Sequence, residues 1–219
     1  MKKTKFLSGI ILSALCALCA LPACAKQVNY CDYISESRTD IFLYKDDATE
    51  IKIQCSKKEQ PFSADGYKGE LSDLVEIYVA LAKNPQELEV SVEGLSGEMN
   101  YQAVTRQYYL SLSAAAFDKS GVEVTLTADG NKETYTALSV KDGNVMSCEK
   151  AVECVVEYAG ELFEGLTSNG LFDGEIFVRL LYDEGCYYYV GVCNKEKKIT
   201  AFLIDGERGK VIARKEIQG

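Results

Sequence analysis

The feature that most limits the fold is a period-two alternation of apolar and polar residues from about Ile41 to Val140. Ile51, Ile53 and Cys55 share one face, with Lys52, Gln54 and Ser56 on the other. Val75, Ile77, Val79 and Leu81 repeat the pattern, followed by Leu88, Val90 and Val92. Tyr108, Leu110 and Leu112 continue it, as do Val122, Val124 and Leu126, and Thr134, Thr136, Leu138 and Val140 close the series. Strands with one apolar face belong to antiparallel sheets packed on one side. Turn residues separate the runs at Lys45-Asp46-Asp47, Asn84-Pro85, Glu93-Gly94 and Asp129-Gly130-Asn131. Asp-Gly is a strong hairpin signal. Short strands at this spacing, with no helical pattern among them, predict a β-sandwich over residues 39–143.

Within that span, Leu110 to Leu126 reads LSLSAAAFDKSGVEVTL. It resembles the corner between the fifth and sixth strands of immunoglobulin-like domains of bacterial surface proteins. The resemblance implies an immunoglobulin-like β-sandwich in which Phe117 plugs one end. The inter-sheet disulfide of antibody domains has no counterpart here, because no cysteine lies on the Val122–Ala128 strand.

The period changes after Lys141-Asp142-Gly143-Asn144. Ser147 is placed to cap a helix whose apolar stripe is Cys148, Ala151, Val152, Val155, Val156, Ala159, Leu162, Phe163 and Leu166. Glu149 falls in the first turn, where a negative charge suits the helix dipole. Cys154 lies on the stripe's flank and is the more exposed thiol of the pair. Strands follow at Glu175–Asp183, Cys186–Cys193 and Lys198–Asp205, with a tail at Lys210–Lys215. One helix followed by an antiparallel meander predicts an α+β layer over residues 147–219. The expected class is therefore mainly β with an α+β C-terminal module.

Two elements of that module carry a second resemblance. Tyr187-Tyr188-Tyr189-Val190-Gly191-Val192 forms an aromatic-rich strand, and Asp205-Gly206-Glu207-Arg208-Gly209-Lys210-Val211 forms the final turn. Cys148–Ile217 is similar to the PepSY-like family. The resemblance implies an extracytoplasmic setting, and peptidase inhibition as one activity. Locally, Asp205 has the chemistry to accept turn amides and Gly209 to take positive φ.

The N-terminus reads as an export address. Lys2, Lys3 and Lys5 precede an uncharged apolar stretch from Phe6 to Ala23. Leu21-Pro22-Ala23-Cys24 resembles a bacterial lipobox, which implies cleavage before Cys24 and its lipidation. Ala23-Cys24-Ala25 fits ordinary signal cleavage instead. The expected plan is a leader over 1–24, a tether over 25–38 and the two modules. The setting would be the outer face of the bacterial cytoplasmic membrane, reached through a lipid anchor, or the medium after secretion.

The chain has nine cysteines, of which Cys16, Cys19 and Cys24 lie in the leader region. Cys31, Cys55, Cys148, Cys154, Cys186 and Cys193 remain, an even set that permits disulfides in an oxidising compartment. Cys31 with Cys55, and one of Cys148 or Cys154 with one of Cys186 or Cys193, are the local fits. Buried or free thiols are the alternative. No C-x-x-C occurs after the leader, and no metal or other cofactor is expected.

Composition narrows the chemistry. There is no histidine, which excludes imidazole-assisted serine or cysteine nucleophiles and zinc sites built on histidine. The formal charge is −9, and loss of Lys2, Lys3 and Lys5 with the leader deepens it to −12. Such a chain is not expected to bind nucleic acid, which demands phosphate neutralisation. The acids Asp32, Asp40, Asp46, Asp47, Glu161 and Glu164 read as solvated surface. The turns at Asp46-Asp47, Asp129-Gly130-Asn131 and Asp142-Gly143-Asn144 lack a calcium-loop pattern. Ser147-Cys148-Glu149-Lys150 spells S-x-x-K without the motifs that accompany it in penicillin-recognising enzymes.

No catalytic residue is therefore expected. Phe177, Leu181, Tyr187 and Tyr189 would share the outer face of the C-terminal sheet, either as an exposed docking surface for an unknown envelope partner or packed against the sandwich. The expected function is a non-catalytic binding protein, and the alternative is a peptidase regulator.

Overall fold

The computed structural model describes residues 28–141 and 143–218. The leader, Cys24 and residues 25–27 lie outside them. The protein is mainly β, and thirteen of the fifteen described strands join into one sheet, antiparallel at every pairing but one.

The strand that organises the molecule is β1, Ile34–Lys45. Its first half runs parallel to β12, Gly174–Tyr182, from Ile34↔Ile176 to Arg38↔Arg179. Its second half pairs with β9, Asn131–Ser139, at Phe42↔Ser139 and Leu43↔Leu138. The opposite edge pairs along its length with β2, Thr49–Glu59. Between Arg38 and Phe42 the strand exchanges one neighbour for another, and a register shift falls at Arg38/Asp40. Bulges of this kind bend a strand and re-aim its side chains.

On the β9 side, the path continues through β8 (Gly121–Ala128) and β4 (Leu88–Val92) to β5 (Leu95–Glu98). On the β2 side, it continues through β3 (Leu71–Leu81) and β7 (Gln107–Leu112) to β6 (Asn100–Gln102). These strands, reached from opposite edges of β1, share one core, so this half of the sheet curls on itself. Phe42, Ile51, Ile53, Val75, Ile77, Leu88, Val90, Val124 and Leu126 are all buried in it. Phe117 packs on that core, with its ring centroid 5.8 Å from Phe42.

The second core lies over the other end of β1. β12 is followed by β13 (Cys186–Asn194), β14 (Lys198–Asp205) and the edge strand β15 (Val211–Gln218). Ile176, Val178, Leu180, Tyr188, Val190, Phe202 and Ile204 face helix α1, Cys148–Tyr158, through Ala151, Val152 and Val155. Ser147 Oγ caps α1 by accepting the Lys150 N–H at 3.2 Å. The helix stops at Ala159, and a separate turn of helix, α2, spans Gly160–Gly165. The two hairpin strands β10 and β11 (Thr167–Ser168 and Leu171–Phe172) lead into β12.

Three expectations need correction. Residues 25–38 are not a tether where they are described: Tyr30–Tyr33 form a 3-10 turn, Ile34–Arg38 belong to β1, and Ile34, Ser35 and Glu36 are buried. The alternation on β9 is the opposite one. Ala137 is buried and Tyr135 packs on the core, while Thr134, Thr136 and Leu138 are exposed. The single predicted helix is two helices, broken at Ala159.

Candidate functional site at the strand exchange

The place where β1 leaves β12 is a polar interruption between two apolar cores. Parting the strands strands the Leu180 carbonyl, and Arg38 Nη1 donates to it at 3.3 Å. A buried carbonyl without a donor is costly, so Arg38 repairs the ladder with a side chain. The Arg38 carbonyl in turn accepts from Cys148 Sγ at 3.4 Å, which ties α1 to the same point. Just beyond it, Asp40 accepts from the Ile41 N–H at 2.7 Å and from Ser139 Oγ at 2.8 Å. Burial raises the Asp40 pKa, and those two hydrogen bonds oppose the rise.

Around Arg38 lies a charged cluster. Arg179, its partner across the parallel pairing, donates to Glu36 Oε2 from Nε at 3.0 Å and from Nη2 at 2.5 Å. Glu76 accepts from Lys58 at 3.2 Å, from Tyr109 at 3.0 Å and from Tyr78 at 3.5 Å. Both carboxylates are thus committed. Burial pulls the Arg38 pKa down; Glu36 and Glu76 oppose the shift, and Arg179 adds to it. An open cavity of about 510 Å³ adjoins the cluster, with Lys58, Phe62, Glu76 and Tyr109 in its lining.

The loop from residue 60 to 70, between β2 and β3, folds over the outer face of β12 and β13. Its Phe62 ring meets Phe177 edge-on at 5.9 Å, and Phe177 stacks on Tyr189 at 6.0 Å. The Arg179 guanidinium lies 5.4 Å from the Phe62 centroid and 5.0 Å from that of Phe177, a cation–π arrangement. Gly191 makes room for Phe177, since a Cβ there would collide with its ring. At the loop tip the Gly66 N–H donates to Glu175 Oε1 at 2.9 Å. Glu175 is fully buried and its Oε2 has no hydrogen-bond partner. Burial raises its pKa, and burial with Glu175 nearby pushes the Cys193 thiol up to about 11.

Of the expected docking residues, Phe177 is not exposed: the loop and Tyr189 cover it, leaving 2% of its surface accessible. Leu181, Tyr187 and Tyr189 are half-buried and lie together beside Arg179. Among the described residues none of the possible disulfides is formed, which leaves the alternative of buried or free thiols. Cys31, Cys55, Cys148, Cys154 and Cys193 are free thiols, and Cys186 Sγ donates to the Val140 carbonyl at 3.3 Å. Cys55 sits in the core of the curled half, whereas Cys31 packs against the other core, so the two belong to different interiors. Burial pushes Cys55 to about 11 and Cys148 to about 12.

The other sequence candidates serve turns or surface pairs. Asp46 Oδ1 accepts the Ala48 and Thr49 N–H groups, and Asp129 accepts those of Gln86 and Glu87. Asp205 accepts the Glu207 and Arg208 N–H groups, and Gly209 has φ +69°. Asp32, Asp47, Glu161 and Glu164 are exposed, and Lys150 pairs with Glu153. Among the described residues no group of three or more cysteine, aspartate or glutamate side chains is placed to hold a metal ion. A second cavity, of about 580 Å³, opens at one end of the curled half beside Leu81, Leu126 and Tyr135.

The sequence pattern marks none of Glu36, Arg38, Ser56, Phe62, Glu76 and Glu175 as a site residue, and places Ser56 only on the polar face of its strand. The first two sit in the polar run from Ser35 to Asp40, which has no apolar alternation to mark a strand. No protein family, curated protein or solved structure matches this chain.

Proposed function

We propose that this chain is an exported, lipid-anchored, non-catalytic interaction protein that docks a partner on the outer face beside the strand exchange. The observation that carries the reading is the grouping of half-exposed Leu181, Tyr187 and Tyr189 with Arg179 and Arg38. Apolar surface next to fixed guanidinium groups suits a protein partner, because aromatic and arginine side chains dominate binding energy at interfaces. The export-type leader, Cys24 in its lipobox-like setting and both family resemblances support a place outside the cytoplasm. In this reading the curled half is an immunoglobulin-like scaffold and the C-terminal half a PepSY-like module. The absence of histidine and the raised thiol pKa values favour binding over bond-making.

The test has two arms. Fractionation of cells expressing the wild type or Cys24→Ala reports the anchor: membrane retention lost in the variant supports it, and identical distributions refute it. Co-purification from crosslinked envelopes, with Tyr187→Lys/Tyr189→Lys as the control, reports the face. A discrete partner lost in the variant supports docking; a partner set unchanged by the variant refutes it.

A second reading has one observation in its favour. Among the described residues β15 pairs with β14 alone, which leaves its outer edge without a partner strand there. An extended segment of a peptidase could pair there, as in strand-addition recognition. Adding the purified chain to thermolysin-type proteases tests this, and undiminished cleavage retires it.

A further inference from the structure

The loop over β12 and β13, residues 60–70, has no ladder of its own. Among the described residues none of its amides bonds a backbone carbonyl. Its committed amides go to carboxylates instead: Gly69 N–H to Glu59, Tyr67 N–H to Asp65 at 3.1 Å, and Gly66 N–H to Glu175 Oε1 at 2.9 Å. Of the three carboxylates only Glu175 is fully buried. Gly66 is buried at the tip, seated so closely that a Cβ would lie 2.5 Å from backbone atoms of Asn194 and Lys195. On either side of the tip the contacts are different in kind. Lys68 Nζ donates to the Asp32 carbonyl at 2.6 Å, the Tyr67 ring lies 5.5 Å from Lys195 Nζ, and Phe62 rests on Phe177.

The anchor under that tip is poorly suited to carry a charge. Glu175 has no accessible surface, and its Oε2 has no hydrogen-bond partner. The groups that face it bring no positive charge. β1 presents Ser35, whose hydroxyl donates to the Ile176 carbonyl at 3.3 Å. The loop presents Asp65 and β2 presents Glu59, both acidic, while β13 presents the Cys193 thiol. Lys195, just past β13, is paired with Asp173 at 2.7 Å. One N–H on Oε1 does not compensate a buried carboxylate, so the neutral acid is the form that suits the seated tip. Ionisation can be relieved without opening the sheet, because lifting the tip lets water reach both oxygens. Segments held by few backbone hydrogen bonds open locally at low free energy.

We propose that residues 60–70 are a proton-operated strap: neutral Glu175 keeps the tip seated, and its ionisation lifts the tip and loosens Phe62 from Phe177. The proton passes to solvent, and no covalent bond other than that O–H changes. The device stands apart from the docking reading above. On that reading, release adds Phe177 to the surface offered by Leu181, Tyr187 and Tyr189.

Hydrogen exchange of the purified chain, followed by mass spectrometry from about pH 4 to about pH 8 and corrected for the intrinsic rate, tests the strap. Protection of residues 60–70 should fall as pH climbs above the ordinary 4.5, by at most about tenfold per pH unit, the slope of one proton, and then level off. β13 should exchange far more slowly than the strap throughout. Phe62→Trp gives the chain its one tryptophan, and its emission should move to the red over the same range. Glu175→Gln should keep the tip protected and flatten the curve; were that variant not to fold, the exchange and emission curves of the other two chains decide. Flat protection of residues 60–70 overturns the proposal, as does exchange of the strap and β13 at one common rate, which means that the sheet opens as a whole. A slope retained in Glu175→Gln overturns Glu175 as the operator, and an emission that stays put overturns the loosening of Phe62. Crosslinking through Tyr187 reports on the docking reading separately, so the failure of either leaves the other standing.

Discussion

Arg38 and Leu180 are joined by a hydrogen bond from guanidinium Nη1 to backbone carbonyl, 3.3 Å long, at the residue where β1 stops pairing with β12. The side chain replaces the backbone donor that the departing strand removes, and so lets one strand serve two cores. Arg38→Met keeps the length of the stem but removes the donor. Urea denaturation should show a loss of about 1–2 kcal/mol, because an orphaned buried carbonyl costs that much and relief of a buried cation offsets part of it. An unchanged midpoint would mean that the bond does not hold the exchange point.

Glu175 makes stability depend on pH in a definite direction. Burial raises its pKa above the ordinary 4.5, so the folded chain holds this proton more tightly than the unfolded chain. Below about 4.5 both states are protonated and the contribution is complete; it is lost as pH climbs from there through the folded value. Glu175→Gln keeps an oxygen for the Gly66 N–H and removes the ionisation. The variant should therefore gain on the wild type as pH rises through and above the ordinary glutamate range. Parallel pH–stability curves for the two chains would contradict this.

Two glycines test how the loop over β12 and β13 is seated. Gly66 has φ +85°, and a Cβ there would lie 2.5 Å from backbone atoms of Asn194 and Lys195. Gly191 has ordinary backbone geometry, but a Cβ would meet the Phe177 ring. Gly191→Ala should cost about 1–3 kcal/mol by overpacking, and Gly66→Ala at least as much, with backbone strain added to the clash. Thermal melts decide: a Gly66→Ala protein as stable as the wild type would mean that the loop tip is not clamped.

Thiol labelling checks the cysteine assignment. Cys31 and Cys154 are half-buried, whereas Cys55, Cys148, Cys186 and Cys193 are buried. Iodoacetamide should modify Cys31 and Cys154 first, and slowly, because burial raises both pKa values and nearby glutamates add to the rise. The other four should react only on unfolding. Mass spectrometry of the native chain would contradict the assignment if Cys55 or Cys148 were modified as fast as Cys154.

The alternation legible from Ile51 to Leu126 maps onto the core of the curled half, although on β2 and β3 the polar face is buried too, at Gln54, Ser56 and Glu76. On β9 both faces are of middling polarity, and the pattern alone chooses the wrong one. The Asp129-Gly130 hairpin supplies the missing information: pairing Ala128 with Asn131 sets Val124 opposite Tyr135 and Val122 opposite Ala137. Register fixed by a turn outweighs a weak pattern. The segment from Ser35 to Asp40 is illegible for a different reason. Its polar side chains bond to neighbouring strands, Ser35 and Arg38 to the Ile176 and Leu180 carbonyls and Glu36 to Arg179, so burial leaves no apolar trace in the sequence. The candidate site inherits that silence, since it is assembled from residues far apart in the chain.

The central claim is that the face beside Arg38 and Arg179 meets one partner outside the cell. Its most direct measurement is photocrosslinking in intact cells, with a benzophenone amino acid at Tyr187 in the exported chain and a control at exposed Thr136 on β9. The account predicts one discrete adduct from position 187, absent from position 136 and much reduced when Arg38→Lys is added. No adduct at position 187, or the same smear of products from both positions, would contradict it.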